Sequence, residues 1–160
     1  MDNPNNTSPN PKILTAASWL MIVVGILVMI HGGMNVAYCA DADRLRTIAG
    51  MLIPAVLLII GGILVERSKR YREASDKATA MFALAIISGM LLKVQTAPNG
   101  LQANTTLYFI WDTLGFIALI LVTIAWAGLR IITIRYEKNH PDDEDDEDDD
   151  NDEFDEYDDE

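Results

Sequence analysis

Four long stretches of the chain carry almost no charge, and short polar connections separate them. The first runs from Ile13 to about Ala37 without an Asp, Glu, Lys or Arg. The second, Thr47 to Val65, is equally uncharged. The third, Ala78 to Leu92, is bounded by Lys77 and Lys93, and the fourth, Leu107 to Leu129, holds a single charge, Asp112. An α-helix rises about 1.5 Å per residue, so about 20 apolar residues cross a hydrocarbon core of about 30 Å. Three runs meet that length outright. The third is short and comes close once Val94 and the apolar stem of Lys93 are added, with Lys77 and Lys93 snorkelling to its two ends. A buried or re-entrant segment is the alternative for that stretch.

Backbone N–H and C=O groups must pair internally in lipid, so such runs form helices. The pattern therefore predicts an all-α integral membrane protein, a four-transmembrane-helix bundle over residues 13–134 with spans at about 13–37, 47–65, 78–94 and 107–129. Residues 1–12, polar and rich in Asn and Pro, are expected to be disordered, as is an acidic tail over 135–160. Pro54 lies inside the second span, where its missing donor and its ring predict a kink near residues 50–54. Small residues punctuate the spans: Gly25 and Gly32, Gly50, Gly61-Gly62, the Ala85/Gly89 pair and Gly115. Such flat patches let helix backbones approach in lipid.

Charge adds an orientation. The chain of 160 residues has a formal net charge of −12, yet residues 141–160 hold 16 acidic residues and no basic one. The remainder carries 12 basic and 8 acidic residues, a net of +4. Of the 12 Lys and Arg, nine fall on the side of the N-terminus, the second loop and the C-terminus, and three, Arg44, Arg46 and Lys93, on the other. Basic loops stay inside, so both termini are expected in the cytoplasm of a multi-pass protein of the cell membrane. Trp19, Trp111 and Trp126 sit near span ends, as interfacial anchors do. The first apolar run of about 25 residues exceeds the usual core of a cleaved signal peptide, and Tyr38 before Cys39 does not fit a lipoprotein site.

Outside the spans, Glu66 to Lys77 reads as a short helical extension or turn whose basic residues meet anionic headgroups. Pro98-Asn99-Gly100 is a turn signal, and Asn104-Thr105-Thr106 matches a short glycosylation pattern close to the membrane. Like-charge repulsion keeps the tail extended. Its two apolar side chains, Phe154 and Tyr157, are candidate anchors for docking on a basic cytoplasmic partner, with a simple solvated tail as the alternative.

Candidate chemistry is sparse. The sequence has no phosphate-binding glycine loop, no HExxH, no CxxC and no GxSxG. Cys39 is the sole cysteine, and His31 and His140 are the only histidines, too few for a zinc site. No catalytic, cofactor-binding or metal site is expected. One polar group maps to a single depth near the outer leaflet: His31, Asn35, Arg44, Arg46, Lys93 and Asp112. His31 and Asn35 are four apart and share a helix face. Ionisable groups within spans are costly and usually face protein or water. The functional reading is a small polar pocket, serving as a proton relay, a headgroup site or the edge of a quinone site. The structural alternative has Asp112 paired with Lys93 or an outer Arg, and His31 bonded to a carbonyl.

The layout is similar to that of small four-helix membrane families with both ends inside, DoxX-like proteins and accessory subunits of bacterial respiratory complexes among them. The claudin group shares the topology, but a lone outer-loop cysteine cannot form that group's disulfide. The likeness covers topology over residues 13–134 and rests on no diagnostic motif, so no site residue is carried over. The expectation is a non-enzymatic accessory or assembly subunit of a larger membrane complex, respiratory complexes included. The alternative is a small transporter, channel subunit or immunity-type membrane protein that uses the outer polar group. Membrane lipids and other membrane-protein subunits are the expected partners. No cofactor and no nucleic acid is expected.

Overall fold

The computed structural model describes residues 9–40, 42, 44–91 and 98–140. Of the segments expected to be disordered, 1–12 and 135–160, residues 1–8 and 141–160 with Phe154 and Tyr157 lie outside the described residues, as does Lys93 with the last residues of the third span, whereas Pro11, Lys12 and residues 135–139 are helical. The described chain is all-helical, in the order α1 (Pro11–Tyr38), α2 (Arg44–Glu66), α3 (Tyr71–Leu91), α4 (Asn99–Gln102) and α5 (Thr105–Asn139). All but the one-turn α4 are long and apolar enough to cross a membrane.

Local chemistry sets the helix starts. Pro11 occupies the first turn of α1, where its missing N–H costs nothing, and the Asn10 side chain accepts from Lys12 N–H at 3.1 Å. The Asn104 side chain caps α5 by accepting from Leu107 N–H at 3.2 Å, so the sequon asparagine serves as a helix cap. α2 runs through Pro54 without a break. α3 begins at Tyr71, so much of the expected inner loop is the first two turns of the third span. α5 continues to Asn139, ten residues past the expected end of the fourth span.

The four long helices alternate in direction. Their neighbours run α3–α2–α1–α5, and α5 closes the ring onto α3. We call the end with Pro11, Glu66, Tyr71 and Asn139 the near end, and the opposite end, with Tyr38, Arg44, Leu91 and Thr105, the far end. α1 and α2 approach most closely. A Cβ added at Gly25 would lie 2.9 Å from the Ala55 carbonyl oxygen, and one at Gly62 would lie 2.7 Å from that of Ser18. Each helix thus presents a glycine to the other's backbone, the arrangement that packing in lipid favours.

The interior is built from small and medium side chains, among them Val24, Ala74, Ala78, Ala118 and Ala125, with Ser18, Ser75 and Thr133 buried between them. Bulky apolar groups point outward, Leu91 at 74 % and Phe109 at 71 % exposure. That distribution inverts the soluble pattern and suits a surrounding of lipid, where size rather than polarity sorts residues between inside and outside.

The near end is tied together around Tyr71. Its hydroxyl accepts from Asn10 N–H at 2.8 Å, its carbonyl accepts from Thr133 Oγ1 at 3.1 Å, and its ring tilts against Tyr136 at 5.3 Å. Tyr136 stacks in turn on His140 at 4.4 Å. Three helices are thereby joined at one buried side chain. On the adjoining surface Lys77 pairs with Glu73, and Arg130 lies 3.7 Å from Asp76.

Candidate functional site

The seam between α3 and α5 is closed over its near half and open over its far half. Trp126 Nε1 donates to Thr79 Oγ1 at 2.9 Å, and the Trp126 ring packs on Phe82 at 6.2 Å. Beyond that point the two helices part around a cleft of about 430 Å³. Small residues form its walls, Ala85 and Gly89 on α3 and Gly115 and Ala118 on α5, while Val28, Met51 and Pro54 lie at its base. Met90 and Leu119 at its lips are strongly exposed. The cause of the parting is a division of loyalties at the far end. α5 is held to α1 there, whereas α3 packs on α2.

The hold of α5 on α1 is aromatic. His31 stacks on Trp111, with centroids 4.5 Å apart and planes at 23°, and Trp111 stacks on Tyr108 at 5.9 Å. A Cβ at Gly115 would lie 3.1 Å from His31 Nε2, so the missing side chain there leaves room for the imidazole against α5. Leu101 of α4 is fully buried beneath Trp111, with Met34 and Leu107 around the pair.

His31 is the polar side chain of the cleft wall. Two buried polar groups lie toward the far end from it and outside the cleft lining. Asn35 is 1 % exposed, and neither atom of its amide has a hydrogen-bond partner. Trp111 is 7 % exposed, and its Nε1 has none either. Among the described residues the other buried polar side-chain atoms without a partner are the hydroxyls of Ser18 and Ser75. An unmade hydrogen bond on a buried group costs about 1–3 kcal/mol, so each of these groups carries a cost that packing around it must offset.

The group read from the sequence is brought together only in part. His31 and Asn35 share a face as the i, i+4 spacing required, and Asp112 is exposed beside Trp111, the ring on which His31 stacks. Arg44 and Arg46 stand exposed on the first turn of α2, each engaged in an interaction of its own. Lys93 lies outside the described residues. Trp111 corrects an expectation. Instead of anchoring at the interface it is buried, stacked on His31 and Tyr108 and packed with Leu101. Trp126 likewise spends its indole N–H on Thr79, and Trp19 alone of the three projects freely, at 60 % exposure. Sequence reasoning missed Trp111, Gly89 and Gly115 as parts of the site. The available signal was spacing: Trp111 and Gly115 are four apart on α5, as His31 and Asn35 are on α1. Among the described residues no three His, Cys, Asp or Glu side chains gather as a metal-binding group would.

The chain matches no protein-family model, and comparisons with curated proteins and with solved structures give no significant match.

Proposed function

We propose that the protein is a non-enzymatic accessory or assembly subunit of a larger membrane complex, seated in the cell membrane with its near end in the cytoplasm. The observation that carries this reading is the near-end extension of α5. From Arg130 to Asn139 the helix continues about 15 Å beyond the expected span, at about 1.5 Å per residue. The Tyr71–Tyr136 contact and the Thr133 bond brace it against the start of α3. This post carries Arg130, Arg135 and Lys138 and leads directly into the 16 carboxylates of residues 141–160. A braced helix followed in sequence by a run of carboxylates suits capture of a basic partner surface, with Phe154 and Tyr157 as apolar anchors.

Gentle detergent extraction followed by native electrophoresis tests this. The full chain is expected in a large species, and removal of residues 141–160 is expected to shift it to a smaller one. Migration of the full chain only as a small free species would overturn the proposal.

The orientation has its own check. Cys39, half-buried at the far end of α1, is the single thiol of the chain. A membrane-impermeant maleimide added to intact cells is expected to label it. Labelling seen only after lysis would place the far end inside and reverse the arrangement.

A further inference from the structure

We propose that the near-end surface around Arg67, Lys69, Arg72 and Arg135 docks the chain's own acidic segment, residues 141–160, which lies back over it until a partner takes it away. The surface is assembled around Tyr71. That residue receives Asn10 N–H on its hydroxyl, takes the Thr133 hydroxyl on its carbonyl and meets Tyr136 with its ring. These contacts set the connection from α2 to α3, which carries Arg67, Lys69 and Arg70, beside the last turns of α5, which carry Arg135 and Lys138. All of these cations are exposed, as is Arg72. Over the same stretches, residues 66–73 and 134–140, the carboxylates are Glu66, Glu73 and Glu137. Glu73 is already engaged, by Lys77 and by the Lys69 N–H at 3.1 Å. Positive charge is in excess on this surface.

Height separates two sources of negative charge that could answer it. With the apolar runs in hydrocarbon, lipid headgroups extend about 5–8 Å beyond them on each side. Tyr71 lies seven residues beyond Ala78, where the third apolar run begins, which is about 10 Å at helical rise. Lys138 lies nine residues beyond Leu129, about 13 Å on the same basis. These cations stand above most of the headgroup layer, where an anion in the aqueous phase meets them.

The acidic segment is such an anion, tethered at this surface. α5 ends at Asn139, His140 stacks on Tyr136, and Pro141 follows. The segment therefore departs beside Tyr136, the ring that leans on Tyr71. Its 20 residues hold 16 carboxylates. Fully extended they reach about 70 Å, against about 10 Å for the diameter of each helix that carries the cations. Every cation named above is within reach. A single exposed ion pair is weak. A short tether raises the effective concentration to the millimolar range and lets many such pairs act together, without a fixed geometry. A basic partner must then displace the near-end cations, so this contact restrains the capture proposed above. The contact itself needs only the chain, and it stands or falls separately from that capture.

The experiment is carbodiimide cross-linking of the full chain in phosphatidylcholine nanodiscs, one copy per disc, mapped by mass spectrometry. The reagent joins a carboxylate to a lysine amine only where the two touch. At low salt, links from carboxylates of residues 142–160 to Lys69 are expected. Sodium chloride at about 0.5 M shortens the screening length to about 4 Å and is expected to cut their yield about fivefold. Arg67→Glu combined with Arg135→Glu is expected to lower the yield at low salt by a similar factor. The Lys77–Glu73 link, within one helix, is expected to persist in that variant and reports an intact α3. Links confined to Lys138, which directly precedes the segment, would overturn the proposal. So would Lys69 links of equal yield at high salt and in the charge-reversed variant. Replacing part of the phosphatidylcholine with phosphatidylserine is expected to leave the Lys69 links in place, and their loss would assign the cations to lipid headgroups instead.

Discussion

Gly62→Leu is expected to separate α1 from α2 and to lower the stability of the bundle by about 3 kcal/mol, the upper end of ordinary overpacking. A Cβ at this position would stand 2.7 Å from the Ser18 carbonyl oxygen and 2.7 Å from Ile22 Cγ1. A side-chain rotamer can move Ile22, but only a shift of the whole helix can move the Ser18 carbonyl. Gly25 repeats the situation in reverse, with the Ala55 carbonyl 2.9 Å from its added Cβ. The penalty weighs heavily in lipid, because close packing supplies the association energy that hydrophobic burial supplies in water. For a chain of this length each kcal/mol moves the melting temperature by about 2–4 °C, so a fall of about 6–12 °C is expected in detergent-solubilised protein followed by circular dichroism. Gly33→Leu and Gly128→Leu serve as controls, since a Cβ at either position meets nothing within 4 Å. Equal melting temperatures for Gly62→Leu and the controls would show that the two backbones do not approach in this way.

Tyr71→Ala is expected to cost about 3–5 kcal/mol, as truncation of a buried aromatic does. The ring is 6 % exposed, packs against Tyr136 and receives Asn10 N–H on its hydroxyl. Tyr71→Phe keeps the ring and removes only the acceptor for Asn10, so about 1 kcal/mol is expected. The Thr133 bond to the Tyr71 carbonyl survives both changes, since it uses the backbone. The contrast has a spatial readout. In Tyr71→Ala the near end of α5 loses its brace, and trypsin is expected to cut at Arg130, Arg135 or Lys138 well before it does in Tyr71→Phe. If both variants melt and are cleaved alike, Tyr71 is not the tie that holds the near end.

Much of this architecture is legible in the chain because a membrane span is a local property. Thr47 to Val65 needs no partner to declare itself a helix, since nineteen uncharged residues in lipid have no other means of pairing their backbone groups. Helix ends were less legible. α5 runs to Asn139 because Thr133 and Tyr136 pack on Tyr71, sixty-odd residues away in sequence, and hydropathy registers nothing of that contact. The candidate site divides along the same line. His31 and Asn35 stood out as polar residues on one face of an apolar helix. Trp111 did not, because a tryptophan near a span end reads as an interfacial anchor until its neighbours are known.

The sequence by itself determined the number of helices long and apolar enough to cross a membrane and the separation of an apolar body from an acidic end. These follow from the cost of charge and of unpaired backbone groups in hydrocarbon, which each segment meets alone. Tertiary structure decided which face of each span turns inward. Lipid and protein interior are equally apolar, so the faces sort by size and fit, and Gly25 against Ala55 or Gly115 against His31 exists only once helices are paired. The open far half of the α3–α5 seam belongs to that second kind of fact: α4, Leu101 and the Trp111 stack hold α5 to α1, while α3 packs on α2.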